Sequence, residues 1–116
     1  MVMIYKIMTL PEWQDFEQSR RYCGSADDRR DGFIHFSDRA QVEETARKHF
    51  FGRRGLVLLA IATNCLGEAL RYEPSRGGAL FPHLYAELAL DAVLWNRPIA
   101  TDPAGTPILT FPDEAS

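Results

Sequence analysis

"LVLLAIA", Leu56 to Ala62, is a run of seven apolar residues with no polar interruption. A half-exposed strand would alternate apolar with polar, so an unbroken run of this length reads as a strand buried on both faces. It is far shorter than the ~20 residues that span a bilayer. The run is therefore expected as the central strand of a core, with everything else arranged around it.

Working back from it, Gly52 and Gly55 close a turn. Before them, about Arg39 to Phe50 reads as a helix, with Val42, Ala46, His49 and Phe50 on one face. Ser37 or Asp38 can cap it, and Asp38 with Gln41 has capping-box spacing. "FIHF" is a short strand entering that helix. The preceding "SADDRRDG", residues 25–32, reads as a charged surface loop or the rim of a site. "MIYKIM", residues 3–8, is a first strand. Thr9 and Glu12 form a capping box that opens a short helix, Pro11 sits in its tolerant first turn, and Gly24 marks its limit.

Working forward, "NCLGEA" is a connector, "LRYE" a strand and "PSRGG" a turn-rich loop. "FPHLY" leads into a strand-like run from about Tyr85 to Trp95. From Asn96 onward the chain holds four of its seven prolines, and "TPILTF" there can add an edge strand. The order β-α-β-α-β-β-β, helices early and strands late, favours an α+β fold over a doubly wound parallel sheet. Two early helices would pack on small mixed or antiparallel sheets. The 116 residues suit one domain, with a core over about 3–95 and a proline-rich tail over 96–116.

A net charge of −3 with no basic run argues against an extended nucleic-acid partner. Cys23 and Cys65 have neither CxxC nor zinc spacing and are expected reduced and semi-buried. His35, His49 and His83 show no paired-ligand spacing, so no metal is expected. The N-terminus lacks a basic segment before its short apolar run, and a soluble, cytoplasmic protein is the expectation. Walker, GxGxxG and GxSxG signatures are missing.

The chemistry-bearing residues fall in two places. Strand parity puts Phe33, His35 and Ser37 on one face, with an imidazole between a ring and a hydroxyl. That is either a packed core histidine or the floor of a site, and Ser37 is either a helix cap or a ligand contact. In "GGALFPHLYAEL", Gly77 to Leu88, an extended chain would turn His83, Tyr85 and Glu87 to one side. Arg71 and Glu73 share a face of the strand before it. They either pair with each other, or Arg71 joins Arg76 in clamping a phosphate through its planar fork. Lys6, alone in an apolar strand, reads as an edge lysine whose ammonium reaches water.

"DGFIHFSDRAQVEETARKHF" and "LRYEPSRGGALFPHLYAEL", with "IYKI" and "EW" near the start, resemble the signature blocks of a bacterial domain-of-unknown-function family, number nine-five-two. The resemblance runs from about Ile4 to Trp95. It implies a compact ADP-ribosylation-like fold, whose cleft between two small sheets would hold NAD or an ADP-ribosyl group. By position it implies Lys6 in the first-strand slot, the His35–Ser37 segment in the second and Glu87 as the late carboxylate. The phosphotransferases of that fold would use Arg71, His35 and His83 instead. The expectation is thus a small-molecule site for a nucleotide-like or phosphorylated ligand. His35, His83 and Glu87 are its catalytic candidates; Ser37, Arg71 and Tyr85 are its ligand-binding candidates. Whether it turns over a substrate, binds one without chemistry or is structural stays open.

Overall fold

The structure, a computed structural model, describes residues 2–112, without the side chain of Arg76. Its first strand, β1 (Met3–Thr9), runs into α1 (Leu10–Ser19). Thr9 Oγ1 accepts from the Glu12 amide and Glu12 Oε1 accepts from the Thr9 amide, which is the expected box. Arg20 leaves the helix in a left-handed conformation, and the chain forms the two-residue β2 (Arg21–Tyr22).

The charged stretch after it is not a loop. Ala26–Asp31 is a helix, α2, with Ser25 and Asp28 in a reciprocal capping box and Gly32 as its left-handed end. Asp28 satisfies the Ser25 amide, and an acidic first turn suits the helix dipole. Next come β3 (Ile34–His35), α3 (Val42–Phe50) and β4 (Leu56–Ala62). The α3 turn opens on Asp38 and Gln41, whose side chains each accept from the other's amide. β5 (Leu70–Pro74) and β6 (Leu80–Leu84) form a hairpin. β7 (Leu88–Ala89), β8 (Val93–Thr101) and β9 (Pro107–Ile108) follow.

The run Tyr85–Trp95 is therefore not one strand. β6 stops at Leu84, a turn carries the chain to β7, and a 3-10 turn over Leu90–Ala92 precedes β8. The proline-rich segment also holds more structure than a tail. β8 continues through Pro98 to Thr101, buries Ile99, and is followed by the expected edge strand, β9.

The larger sheet has the order β1-β4-β8-β9, antiparallel throughout. β4 is inside it and all seven of its residues are buried, as its unbroken apolar run requires. Its two faces serve two cores. Val57, Leu59 and Ile61 join Ile4, Met8, Trp13, Phe16, Ile34, Leu84 and Leu88. Leu56, Leu58 and Ala60 join Tyr5, Ile7, Val42, Ala46 and Ile99 under α3. Each large side chain so buried contributes about 1.5–3 kcal/mol. On the first of these faces lie the smaller sheets, β3-β6-β5 and β2-β7. The architecture is α+β, with three short α-helices and antiparallel sheets among the described residues. Among the described residues no helix is long and apolar enough to cross a membrane.

Gly24, before α2, has φ +111, and a Cβ built there would lie 2.6 Å from Asp28 Cβ. That atom is fixed to the backbone and cannot swing aside. Gly24→Ala should cost about 1–3 kcal/mol from backbone strain and crowding together. Gly32→Ala, with φ +86 but open space around it, should cost only the left-handed penalty of about 1–2 kcal/mol. Urea denaturation of both variants checks this. A Gly24→Ala protein as stable as the parent would show that α2 is not seated on Asp28.

Candidate functional site

The antiparallel register of the small sheet makes His35 the cross-strand partner of His83, and His83 the partner of Arg71. The next row, Ile34–Leu84–Leu70, points the other way, with Ile34 and Leu84 in the core. Three of the candidates thus form one row on the side of the sheet opposite the core. The two imidazoles lie 5.5 Å apart, nearly edge to face. Phe33 stacks on His83 at 4.0 Å and meets His35 at 4.6 Å and Tyr85 at 5.3 Å. The Arg71 guanidinium lies 5.2 Å over the Tyr85 ring, within cation–π range.

A carboxylate orients each imidazole through Nδ1. His83 Nδ1 donates to Glu73 Oε1 at 2.8 Å, and the Tyr85 hydroxyl donates to the same oxygen at 2.7 Å. Those two donors, the tyrosine's first, hold the Glu73 carboxyl below its usual value. The same bond raises the Tyr85 phenol, which keeps its proton. On the other side of the row, His35 Nδ1 donates to Asp28 Oδ1 at 2.6 Å. Asp28 is 2% exposed. Its oxygens also accept from the His35 amide, the Ser25 amide and Lys6 Nζ, the last at 2.9 Å. Burial works to raise the Asp28 carboxyl, but the hydrogen bond from His35 and the charge of Lys6 outweigh it. The carboxyl stays well below the usual range. A charged acceptor needs donors on both oxygens when buried, and Asp28 has them.

Lys6 is not an edge lysine reaching water. It shares the parity of Ile4 and Met8, which sends it between the sheets. There its ammonium also donates to the His35 carbonyl at 2.8 Å, while Tyr22 and Phe36 lie beside it. Burial lowers its pKa against the pull of Asp28. Lys6 and Asp28 together tie β1, α2 and β3 beneath the histidine row.

Two candidates stand apart from the row. Ser37 is buried, its backbone bonds both ways with Tyr5, and its hydroxyl meets Thr45 Oγ1 at 2.9 Å. It ties β1 to α3, because the bridge to β1 takes the chain away from the small sheet just after His35. Glu87 loses the expected alignment with His83 because β6 ends at Leu84. Its carboxylate accepts from Cys23 Sγ at 3.1 Å and Arg21 at 3.2 Å. The thiol bond, then the arginine, lower the Glu87 pKa, and the carboxylate raises that of Cys23. Both cysteines are exposed rather than semi-buried. Arg76 lies outside the described side chains, so the arginine pair is represented by Arg71 alone.

The row is not a deep recess: His83 is buried beneath Phe33, His35 is half-buried, and Arg71 and Tyr85 are exposed. Recesses of about 450 and 310 Å³ lie elsewhere, between α3 and β9 and beside Glu87. Among the described residues no three potential ligands are grouped to hold a metal ion. The chemistry on offer is two carboxylate-held imidazoles, a phenol, a stacking ring and one exposed guanidinium. That set suits proton transfer, hydrogen bonding to an oxyanion and stacking on a planar group.

Strand parity set Phe33 beside His35, but Asp28 and Glu73 were not legible as members of one site. For Asp28 a signal existed: Ser25 and Asp28 have capping-box spacing. Nothing local marks its contacts with Lys6 and His35, 22 and 7 positions away.

Fold and site together define a small α+β domain with a histidine–carboxylate row on a three-stranded sheet. The chain belongs to the DUF952 family of proteins of unknown function, whose model matches residues 7–96 and so includes the whole row. It is similar to protein CC0527 from Caulobacter crescentus. Against a crystal structure of that protein the TM-score is 0.88, at 46% identity over 91% of this chain and 93% of the other. Against its solution NMR structure the values are 0.83 and 47%, with 92% of each chain covered. No curated protein matches the chain.

Proposed function

We propose that the His35–His83–Arg71 face binds a nucleotide-like or phosphorylated small molecule and promotes transfer or hydrolysis at its ribosyl or phosphoryl centre, in the cytoplasm. The observation that carries this is the cross-strand pairing of two imidazoles, each held through Nδ1 by its own carboxylate. Such pairs fix the orientation of an imidazole, which general acid–base chemistry needs. Arg71 would meet a phosphate, and Phe33 and Tyr85 would flank a planar base. Glu73 replaces Glu87 as the carboxylate of the site, since Glu87 is engaged by Arg21 and Cys23. We assign the fold to a compact form of the ADP-ribosylation class, with NAD as the first substrate to try. Support comes from the stacking of a three-stranded sheet on the larger one.

The test is turnover and binding on the full chain. NAD should release nicotinamide, or NAD, ADP-ribose or a nucleoside phosphate should raise the melting temperature. His83→Gln and Arg71→Ala should remove the response. Release of nicotinamide favours the enzyme; a melting shift with no product favours a ligand-binding module using the same face.

One observation favours a structural role. His83 is 4% exposed, and Glu73 bridges it to Tyr85. On that reading His83→Ala lowers stability and no nucleotide moves the melting curve. A nucleotide response lost in His83→Gln with its stability intact would sink it.

A further inference from the structure

Asp31 closes α2, and its carboxylate reaches His35, four positions further along the chain. Its Oδ2 lies 2.9 Å from His35 Nε2. Both ring nitrogens of His35 therefore face a carboxylate, Asp28 at Nδ1 and Asp31 at Nε2. The two acids differ in everything except charge. Asp28 is buried and tied to Lys6, Ser25 and the His35 amide. The Asp31 side chain is 36% exposed, and its other ion-pair partner is Arg30, at 3.3 Å. A ring nitrogen that meets a ligand must be one a side chain can vacate. Asp28 cannot leave Nδ1 without stranding a buried lysine, whereas Asp31 can leave Nε2 for water and Arg30.

We infer that Asp31 is an internal stand-in for the ligand's anionic group: a phosphate binds the His35 ring at Nε2 by displacing the Asp31 carboxylate. This rests on the reading of the histidine row as a ligand face, and it names the atom and the group that meet there. The exchange swaps one oxyanion acceptor at Nε2 for another, while the Lys6–Asp28 pair below stays as it was. Phosphate oxygens accept from an imidazole N–H in the same geometry as a carboxylate. Arg71, paired with His83 on the same row, would supply the bound phosphate with a cation.

The contact lowers apparent affinity by the fraction of time Asp31 holds the ring. For an exposed ion pair that is a factor of about two to five. Removing the carboxylate also removes like-charge repulsion, so the gain should shrink as salt rises.

The experiment follows the His35 and His83 ring resonances by NMR in the full chain, titrated at fixed pH with inorganic phosphate and with adenosine monophosphate. Wild type is compared with Asp31→Ala and with Asp27→Ala, which removes an exposed acid of the same helix that pairs with Arg30. His35 should respond in all three proteins, with half-saturation about two to five times lower in Asp31→Ala alone. A His35 response with the same midpoint in wild type and Asp31→Ala overturns the displacement while leaving the ligand face intact. A response at His83 without His35 also overturns it. No response of either ring in any protein overturns the displacement and the ligand face together.

Discussion

Asp28→Ala should lose about 3–5 kcal/mol of folding stability, because it leaves the Lys6 ammonium buried with no counter-charge. The carboxylate accepts four hydrogen bonds from three segments: Lys6, the Ser25 amide, and the amide and ring of His35. Alanine removes all four and strands Lys6 between the sheets. Lys6→Met should cost less, since Asp28 keeps three donors. The double variant should recover part of the loss, with a coupling of about 1 kcal/mol or more. The same residue sets an acid limit. Its folded pKa is depressed, so its contribution is complete above the unfolded carboxylate value of about 3.9. It is lost as pH falls from there through the lower folded value. Urea midpoints taken from pH 7 downward should therefore fall more steeply in wild type than in the double variant. An Asp28→Ala protein within about 1 kcal/mol of wild type, or parallel acid curves, would show that Asp28 does not hold the base of the histidine row.

Leu58→Ala and Leu59→Ala should each cost about 2–5 kcal/mol, though the residues are neighbours and point in opposite directions. Leu58 packs with Val42, Ala46 and Ile99, while Leu59 packs with Phe16, Ile34 and Leu84. Both are fully buried, so each truncation opens a cavity in a different core. Leu94, on β8 and 42% exposed, is the control, and Leu94→Ala should stay within about 0.5 kcal/mol. Denaturant unfolding reads all three. If either β4 leucine behaved like Leu94, one face of the large sheet would be open to solvent.

These two predictions also separate what was visible in the chain from what was not. β4 was legible because an unbroken apolar run has one physical meaning at this length. The α1 start was legible because Thr9 and Glu12 satisfy each other's amides within one turn. Asp38 and Gln41 were legible for the same reason. The helix over Ala26–Asp31 was missed although its capping box is present, because one alanine and five charged residues carry no apolar period to read. The break at Leu84 was missed because residues 84–90 continue an apolar–polar alternation through a turn. That one error moved Glu87 into the site and left Glu73 out.

The sequence by itself determined the α+β class, the doubly buried central strand, the capped start of α1 and the presence of His35 and His83 on strands. Each of these depends on residues within a turn or a strand of one another. Only the tertiary structure decided that His35, His83 and Arg71 form one row, that Asp28 reaches both Lys6 and His35, and that Ser37 and Glu87 belong elsewhere. Periodicity tells which face of an element a side chain occupies, but not which element lies opposite. Cross-strand register and the stacking of the small sheet on the large one supply that, and they arise from the burial of two cores at once.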